Sequence, residues 1–149
     1  RREIMDPIGA SPDWQWHGYE NSWVEIDGRR IQSVPGGHHW GGGIWISALD
    51  HARFGLLMLN RGEWDGRRLL SEQSIEDATT PCEVNERYGY MWWLNTNHNP
   101  YTAAPASAFA AQGAGGNVVF IDPEDDLVIV TRWAADAPAV INQIVTALA

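Results

Sequence analysis

Residues 109–130 read FAAQGAGGNVVFIDPEDDLVIV. They contain a short strand that ends in a glycine cluster, followed by two β-branched strands, 118–121 and 127–130, with a polar turn at 122–126. Glycine tolerates backbone angles that other residues avoid, and it lets a ligand or another backbone approach a strand closely. The segment therefore predicts an antiparallel meander whose glycine-rich end can line a binding site.

Helices are predicted on both sides of this meander. Ser47 has the spacing of a capped helix start, and apolar residues then recur at helical spacing as far as Asn60. Ser71 begins a second, shorter helix, which stops before Pro81 because proline cannot continue a helix. A third helix is predicted over residues 138–148.

Two further strand regions are predicted upstream of the meander. The pair Asp27-Gly28 is typical of a tight turn, so residues 23–26 and 30–33 are expected to form a hairpin. Aromatic residues are frequent in 88–94, which predicts an additional strand there.

A second stretch, GGGIWISALDHARFG at residues 41–55, together with 109–130 carries a family resemblance. The two stretches resemble the C-terminal half of the serine β-lactamase and penicillin-binding-protein-like hydrolases, a group that contains the class C β-lactamases and related esterases. The resemblance extends over the whole chain. It implies an α+β fold, an antiparallel meander with flanking helices that forms the C-terminal portion of a β-lactamase-like α/β sandwich.

The nucleophile motif of that family is not found in this sequence. Ser-x-x-Lys places a serine one helical turn from the lysine that activates it, but all ten basic residues here are arginine. Arginine stays protonated and cannot act as the base. We therefore expect residues 1–149 to be the C-terminal part of a single β-lactamase-like domain, inactive alone, whose N-terminal nucleophile-bearing part is absent. The upstream half of the same protein, or an oligomer partner, is then expected to complete the sheet.

The resemblance also identifies candidate residues for the substrate pocket. The third family motif, Lys-Thr-Gly or a variant of it, falls in one of two registers here, 112–114 or 114–116, and neither begins with a cation or an imidazole. The part of the motif that is kept is its backbone, because an N–H group of Gly115 or Asn117 can contribute to an oxyanion hole. A glycine-rich hairpin turn without a ligand is the alternative. The predicted pocket and oxyanion residues are Gln112, Gly113, Ala114, Gly115, Gly116 and Asn117.

A glycine-rich loop over residues 35–43 is predicted to form the rim of the pocket. His38, His39 and Trp40 are its candidate contacts. Adjacent residues point in different directions, and no carboxylate or cysteine stands beside the two histidines at a ligand spacing, so a metal site is disfavoured. No metal is assigned, and neither the residues nor the resemblance implies a cofactor.

Composition narrows the classes of partner. The net charge of −9 argues against a nucleic-acid surface, which needs basic residues to neutralise phosphates. No apolar run approaches the ~18 residues of a membrane-spanning helix. Cys82 is the single cysteine, so an internal disulfide is excluded. Nine tryptophans, far above ordinary usage, are compatible with either a core or a substrate groove.

The resemblance implies a serine hydrolase that acts on a small ester or amide through an acyl-enzyme, with this chain forming a pocket wall and part of the oxyanion hole. The altered third motif favours esterase or amidase action over penicillin hydrolysis, because the missing cation normally meets the β-lactam carboxylate. Two alternatives stay open. One is a non-catalytic, aromatic-rich module that binds carbohydrate or peptide, and the other is an inactive homologue with a structural role.

Overall fold

The structure is a computed structural model that describes residues 1–18, 20–32 and 43–148. The chain divides into two compact units, one of residues 11–47 and one of residues 1–10 with 48–149. The strands are β1 (Gln15–Trp16), β2 (Trp23–Ile26), β3 (Arg29–Gln32), β4 (Ile44–Trp45), β5 (Glu63–Trp64), β6 (Arg67–Arg68), β7 (Trp93–Leu94), β8 (Phe109–Gly113), β9 (Asn117–Asp122) and β10 (Leu127–Thr131). The helices are α1 (Ala48–Leu59), α2 (Glu72–Thr79) and α3 (Ala137–Leu148).

The unit of residues 11–47 contains two pairs of short antiparallel strands. Strand β2 pairs with β3 across the turn Asp27-Gly28, whose residues both have positive φ, 51° and 71°. Two consecutive left-handed residues are the signature of a hairpin turn that matches the twist of its strands, so the predicted hairpin is confirmed. Strand β1 pairs with β4, with Gln15 opposite Trp45.

The larger unit is built on a four-stranded antiparallel sheet with the order β10-β9-β8-β7. Strands β8, β9 and β10 form the predicted meander, and Phe109 lies opposite Ile121 while Val130 lies opposite Val119. Side chains alternate between the two faces of a strand, so both faces of this apolar sheet need a cover. The three predicted helices provide it, α3 on one face and α1 with α2 on the other.

The two faces have separate cores. On the α3 face, Phe120 and Ile141 are fully buried. On the opposite face, Ile121 is equally buried and packs in a cluster with Met58 of α1 and Ile75 of α2. The alternation along β9, with Phe120 on one face and Ile121 on the other, is therefore what makes this a three-layer structure.

Gly55 sets how closely α1 approaches the sheet. A Cβ on Gly55 would lie 2.7 Å from Val128 Cγ1 and 3.0 Å from Val119 Cγ1, below normal packing distances. The helix axis can lie this near to β9 and β10 because the side chain is missing. A glycine inside a helix costs about 1 kcal/mol relative to alanine, which the close packing of helix on sheet offsets.

The strand predicted over residues 88–94 is wrong in most of its length. Only Trp93–Leu94 forms a strand, and the preceding residues turn. Met91 has a left-handed φ of 66°, which brings Tyr88 back to face Trp93 in an isolated bridge. The Gly89 N–H donates to the Trp92 carbonyl inside this turn. Aromatic composition favours a strand but does not determine the local backbone.

The position of α3 can be tested on two neighbouring residues. Ile141 is fully buried, so Ile141→Ala is expected to lower the free energy of unfolding by about 2–5 kcal/mol, from lost burial and the cavity left behind. Val140 is 41% exposed on the same helix, and Val140→Ala is expected to change that free energy by no more than about 0.5 kcal/mol. Urea unfolding followed by circular dichroism measures both. Equal losses would contradict the buried face assigned to α3.

Candidate functional site

The predicted pocket residues form the hairpin that joins β8 to β9. Gly113 pairs with Asn117, and residues 114–116 make the connecting loop. Gly115 and Gly116 have φ values of 78° and 67°, in the left-handed region that an L side chain rarely adopts. Two consecutive residues of this kind turn the backbone sharply. We call residues 113–117 the glycine hairpin.

The tip of the glycine hairpin presents backbone donors. Among the described residues, none accepts a hydrogen bond from the N–H groups of Ala114, Gly115 or Gly116. Ala114 and Gly115 are exposed and Gly116 is half-buried, so a ligand can reach this segment. Adjacent N–H groups on a tight turn favour a negatively charged or strongly polarised oxygen. The arrangement has the donor chemistry of an oxyanion hole.

The segment that follows β10 holds the glycine hairpin in place. Thr131 donates its hydroxyl to the Gly116 carbonyl at 2.9 Å. The Asn117 side chain makes two contacts, donating to the Ala114 carbonyl at 2.7 Å and accepting the Trp133 N–H at 3.3 Å. These bonds fix the loop from both sides. Asn117 therefore has a positioning role through its side chain, in addition to the backbone role predicted for it.

Packing explains why Gly115 and Gly116 are glycines. A Cβ on Gly115 would lie 2.6 Å from two carbons of the Trp133 indole, Cε3 and Cζ3. A Cβ on Gly116 would overlap the carbonyl oxygen of Ala134. By contrast, a Cβ on Gly113 meets nothing nearer than 3.7 Å. The two glycines are thus required by the contact with residues 133–134, whether or not a ligand binds.

Gln112 lies at the end of β8, beside a buried phenol. Its Nε2 donates to the hydroxyl oxygen of Tyr101 at 3.1 Å, and the Tyr101 ring packs on Phe120. Burial raises the pKa of Tyr101 to about 12, against a smaller lowering by the Gln112 hydrogen bond. Tyr101 is therefore neutral at physiological pH and unsuited to act as a base. The structure assigns the Gln112 side chain to this anchoring bond.

A second polar cluster lies between α1 and the end of β10. Arg132 Nη1 is 3.2 Å from His51 Nδ1, and Asp50, which is fully buried, accepts a 2.7 Å bond from Arg53 Nη1. An arginine can only donate, so His51 Nδ1 is the acceptor and carries no proton. Burial lowers the pKa of His51, the Arg132 charge lowers it further, and Asp50 raises it to a smaller extent.

Trp133 and Arg132 are contacts of this region that the sequence analysis does not predict. Their position follows from the strand pairing observed in the structure. Thr131 lies opposite Val118 in the antiparallel pair of β9 and β10, so the residues after Thr131 must run beside those before Val118. Those preceding residues are the glycine hairpin.

Several predicted or possible site residues lie outside the described part of the chain. His38, His39 and Trp40, the predicted rim, all do. Tyr19-Glu20-Asn21 has the Tyr-x-Asn spacing of a further motif of the hydrolases that this chain resembles, and it is not part of the predicted site. Tyr19 is also outside the described residues.

A cleft lies elsewhere in the larger unit. It has a volume of about 590 Å³ and contains none of residues 112–117. It is lined by the end of α1, by α2 and by the start of β8, and Met58, Ile75 and Phe109 contribute apolar surface.

Within 1–18, 20–32 and 43–148, no three histidine, cysteine or acidic side chains are grouped closely enough to hold a metal ion. No helix of that part is long and apolar enough to cross a membrane.

Comparison with known proteins identifies similar sequences and folds. The family described as Beta-lactamase matches residues 6–142. A candidate 6-aminohexanoate-dimer hydrolase from Bacillus anthracis is 28% identical with a TM-score of 0.51, over 72% of this chain and 29% of that one. A candidate β-lactamase from Bacteroides dorei is 18% identical with a TM-score of 0.61, over 98% and 49%. A β-lactamase from Mycobacterium bovis is 19% identical with a TM-score of 0.63, over 99% and 54%.

The coverage values show how the lengths compare. The matched region makes up 29% to 54% of these three proteins, so the chain spans about half of their length or less. The two structures below 20% identity show the shared fold alone. No curated protein matches the chain significantly.

Alanine substitutions at one uncrowded and one crowded glycine separate the cost of backbone strain from the cost of a packing collision. Gly66 and Gly115 have similar φ values, 72° and 78°, but a Cβ on Gly66 meets nothing within 4 Å. Gly66→Ala is expected to cost about 1 kcal/mol of unfolding free energy, for the backbone alone. Gly115→Ala adds a collision with Trp133 and is expected to cost about 1–3 kcal/mol more. Urea denaturation compares them, and equal costs would contradict the Trp133 contact.

The lowered pKa of His51 predicts a pH dependence of stability. The ordinary pKa is 6.5, so as pH falls through this value the unfolded chain takes up a proton that the folded chain still refuses. The free energy of unfolding therefore has its full value above about pH 6.5. It decreases as the pH falls from there toward the pKa of His51 in the folded chain. His51→Asn, which keeps an acceptor for Arg132, is expected to reduce this decrease. Urea denaturation midpoints of both proteins at about pH 7.5 and pH 5 measure this decrease. An equal drop in midpoint in the two proteins would refute the prediction.

Proposed function

The chain belongs to the β-lactamase family, and from this we propose that it is part of a serine hydrolase that cleaves a small ester or amide through an acyl-enzyme. In this proposal the glycine hairpin forms a wall of the pocket and contributes backbone donors to the oxyanion hole. The observation that carries it is the row of three N–H groups, on residues 114–116, that have no acceptor among the described residues.

The proposed role follows from where charge develops during acyl transfer. Attack on a carbonyl carbon places negative charge on its oxygen, and donors that already point at that position stabilise the transition state. Donors held rigidly are the most effective, because they need no reorganisation during the reaction. The bonds of Asn117 and Thr131 to the glycine hairpin provide this rigidity. The N–H groups of residues 114–116 are therefore suited to stabilise the negative charge that develops in acyl transfer.

The nucleophile and its base are assigned to sequence upstream of this chain. The sequence contains no lysine, and an arginine cannot accept the serine proton. In this proposal residues 1–149 are the C-terminal part of a single domain, and the N-terminal part carries Ser-x-x-Lys. The partial coverage of the three similar structures is compatible with that arrangement.

The substrate is proposed to be an ester or amide that carries no carboxylate for a cation to bind. Position 112 is a glutamine and position 114 is an alanine, so neither register of the third motif begins with a charged residue. The Gln112 amide is also directed to Tyr101. The 28% identical Bacillus anthracis protein is named for hydrolysis of a 6-aminohexanoate dimer, which supports cleavage of an amide. The name does not support the absence of a carboxylate, because 6-aminohexanoate carries one.

A second candidate function rests on the unit of residues 11–47. Three of its tryptophans, Trp16, Trp23 and Trp45, are 48% to 67% exposed. Exposed aromatic side chains are common where carbohydrate or peptide binds. Under this alternative the chain is a binding module without catalysis. Binding on a sugar array by the chain alone, abolished by alanine at these tryptophans, would favour it.

The partner of the sheet is also proposed. Strand β10 is at the end of the strand order, and no strand of the described residues pairs with its outer edge. An unpaired apolar edge recruits another strand. We assign that strand to the upstream half of the protein, or in its absence to a second copy of the chain. We do not propose nucleic acid as a binding partner, because the net charge of the chain is −9.

Light scattering on the purified chain tests the open edge. The chain alone is expected to form oligomers or to aggregate, because β10 is apolar and its outer edge has no partner strand among the described residues. The control is the polypeptide that includes the upstream sequence, which is expected to be more nearly monodisperse. A monodisperse monomer of the 149-residue chain that melts cooperatively would contradict the proposed partner.

Activity of the chain alone tests the location of the nucleophile. We expect no hydrolysis of nitrocefin or p-nitrophenyl esters above buffer, because no lysine is available to activate a serine. A fluorophosphonate label on any serine of this chain would overturn that assignment. Serine labelling in the polypeptide with its upstream sequence is the matching positive control.

The oxyanion role has a test that removes one donor. In a polypeptide that also contains the upstream sequence, Ala114→Pro deletes an N–H that makes no internal hydrogen bond. We expect kcat to fall about 100-fold or more. Ala114→Val keeps the N–H and is the matched control, expected to retain most of the activity. Equal losses in both variants, or equal thermal destabilisation without a specific loss of kcat, would contradict the role.

A further inference from the structure

Trp133 is the most exposed tryptophan in the larger unit, although it is fixed to the glycine hairpin. Its side chain is 76% exposed, and its φ is 54°, a left-handed value that is unfavourable for a bulky residue. Exposing an indole and straining its backbone both cost free energy. A residue that does both at the end of a strand is a candidate for a role in binding.

Two contacts determine where the indole lies. One edge of its six-membered ring stands over Gly115, where a Cβ would be 2.6 Å from Cε3 and Cζ3. The backbone N–H of Trp133 is bonded to the Asn117 side chain at 3.3 Å. The remaining ring surface is open to solvent. The unpaired donors of residues 114–116 and the indole therefore belong to one continuous surface.

That surface combines two kinds of recognition. The N–H groups suit the oxygen of a carbonyl or a carboxylate. The indole presents an apolar, quadrupolar face that favours another aromatic or apolar group. A molecule that fits both has a carbonyl or carboxylate carbon with an apolar or aromatic substituent a short distance from it.

We infer that Trp133 determines acyl specificity, binding the apolar side of a substrate whose reacting carbonyl oxygen lies on the N–H groups of the glycine hairpin. This inference rests on the proposed function and adds the substrate class, an ester or amide of an acid with an aromatic or apolar side group. The free carboxylate of such an acid, which hydrolysis leaves as product, binds the same surface.

Other exposed apolar side chains of this unit are not placed beside the unpaired donors, and this includes Met91, which is 78% exposed with a φ of 66°. Tyr90 is 69% exposed within the turn before β7, and nothing places it beside unpaired backbone donors. It has comparable exposure and aromatic character. Tyr90 is therefore a suitable control position for Trp133.

The test uses the polypeptide that also contains the upstream sequence, with two carboxylate probes, acetate and phenylacetate. Amide chemical shifts of residues 114–116 are followed by NMR during titration. We expect both probes to shift these amides and phenylacetate to bind about tenfold more tightly, because only it contacts the indole. In Trp133→Leu the preference is expected to fall below about twofold, whereas Trp133→Phe keeps part of it and Tyr90→Leu keeps all of it.

A measurement on the unaltered chain removes any dependence on how the variants fold. Intermolecular nuclear Overhauser effects between the phenyl protons of phenylacetate and the Trp133 indole are expected. Equal binding of the two probes, or absence of these effects, overturns the Trp133 inference and leaves the oxyanion role standing. If neither probe shifts the amides of residues 114–116, the donor role of the glycine hairpin is overturned together with it.

Discussion

The close contact between the glycine hairpin and the segment after β10 is the constraint on which the candidate site depends. The loop of residues 114–116 can lie against Trp133 and Ala134 only because Gly115 and Gly116 have no side chains. With the bonds of Asn117 in place, three consecutive N–H groups, on residues 114–116, have no acceptor in the described part of the chain. A Cβ at position 115 or 116 would displace the loop. The same residues thus account for local stability and for the availability of the donors.

Strand β9 connects the glycine hairpin to the turn at the other end of the sheet. Strand β9 begins at Asn117, whose side chain holds the glycine hairpin, and ends at Asp122, whose Oδ1 accepts the N–H groups of Glu124 and Asp125 in the opposite turn. Between them, Phe120 and Ile121 are buried on opposite faces. Burying two such side chains contributes several kcal/mol, so the positions of both loops are fixed by the central strand. Asp122 is fully buried, and this burial raises the pKa of its carboxyl group.

Much of this fold could be predicted from sequence, because the signals were local. Ser71 does cap α2 through its side chain, and the turn Asp27-Gly28 does reverse the chain. The failure at residues 88–94 has a physical cause, since the left-handed Met91 turns the chain within that stretch and aromatic composition does not encode such a turn. The glycine hairpin was identifiable from its glycines. Trp133 was not, because its neighbours come from the pairing register of β9 with β10, which the residues around Trp133 do not encode.

In the proposed mechanism, the N–H groups of residues 114–116 hold the oxygen of a reacting acyl group. A crystal structure of the protein with its upstream sequence, inhibited by a phosphonate, tests this most directly. We expect the phosphonyl oxygen to lie about 2.7–3.1 Å from the nitrogen of at least one of these N–H groups, with Asn117 holding the loop. A phosphonyl oxygen bound by other groups, with the three N–H groups turned toward solvent or toward protein acceptors, would contradict it.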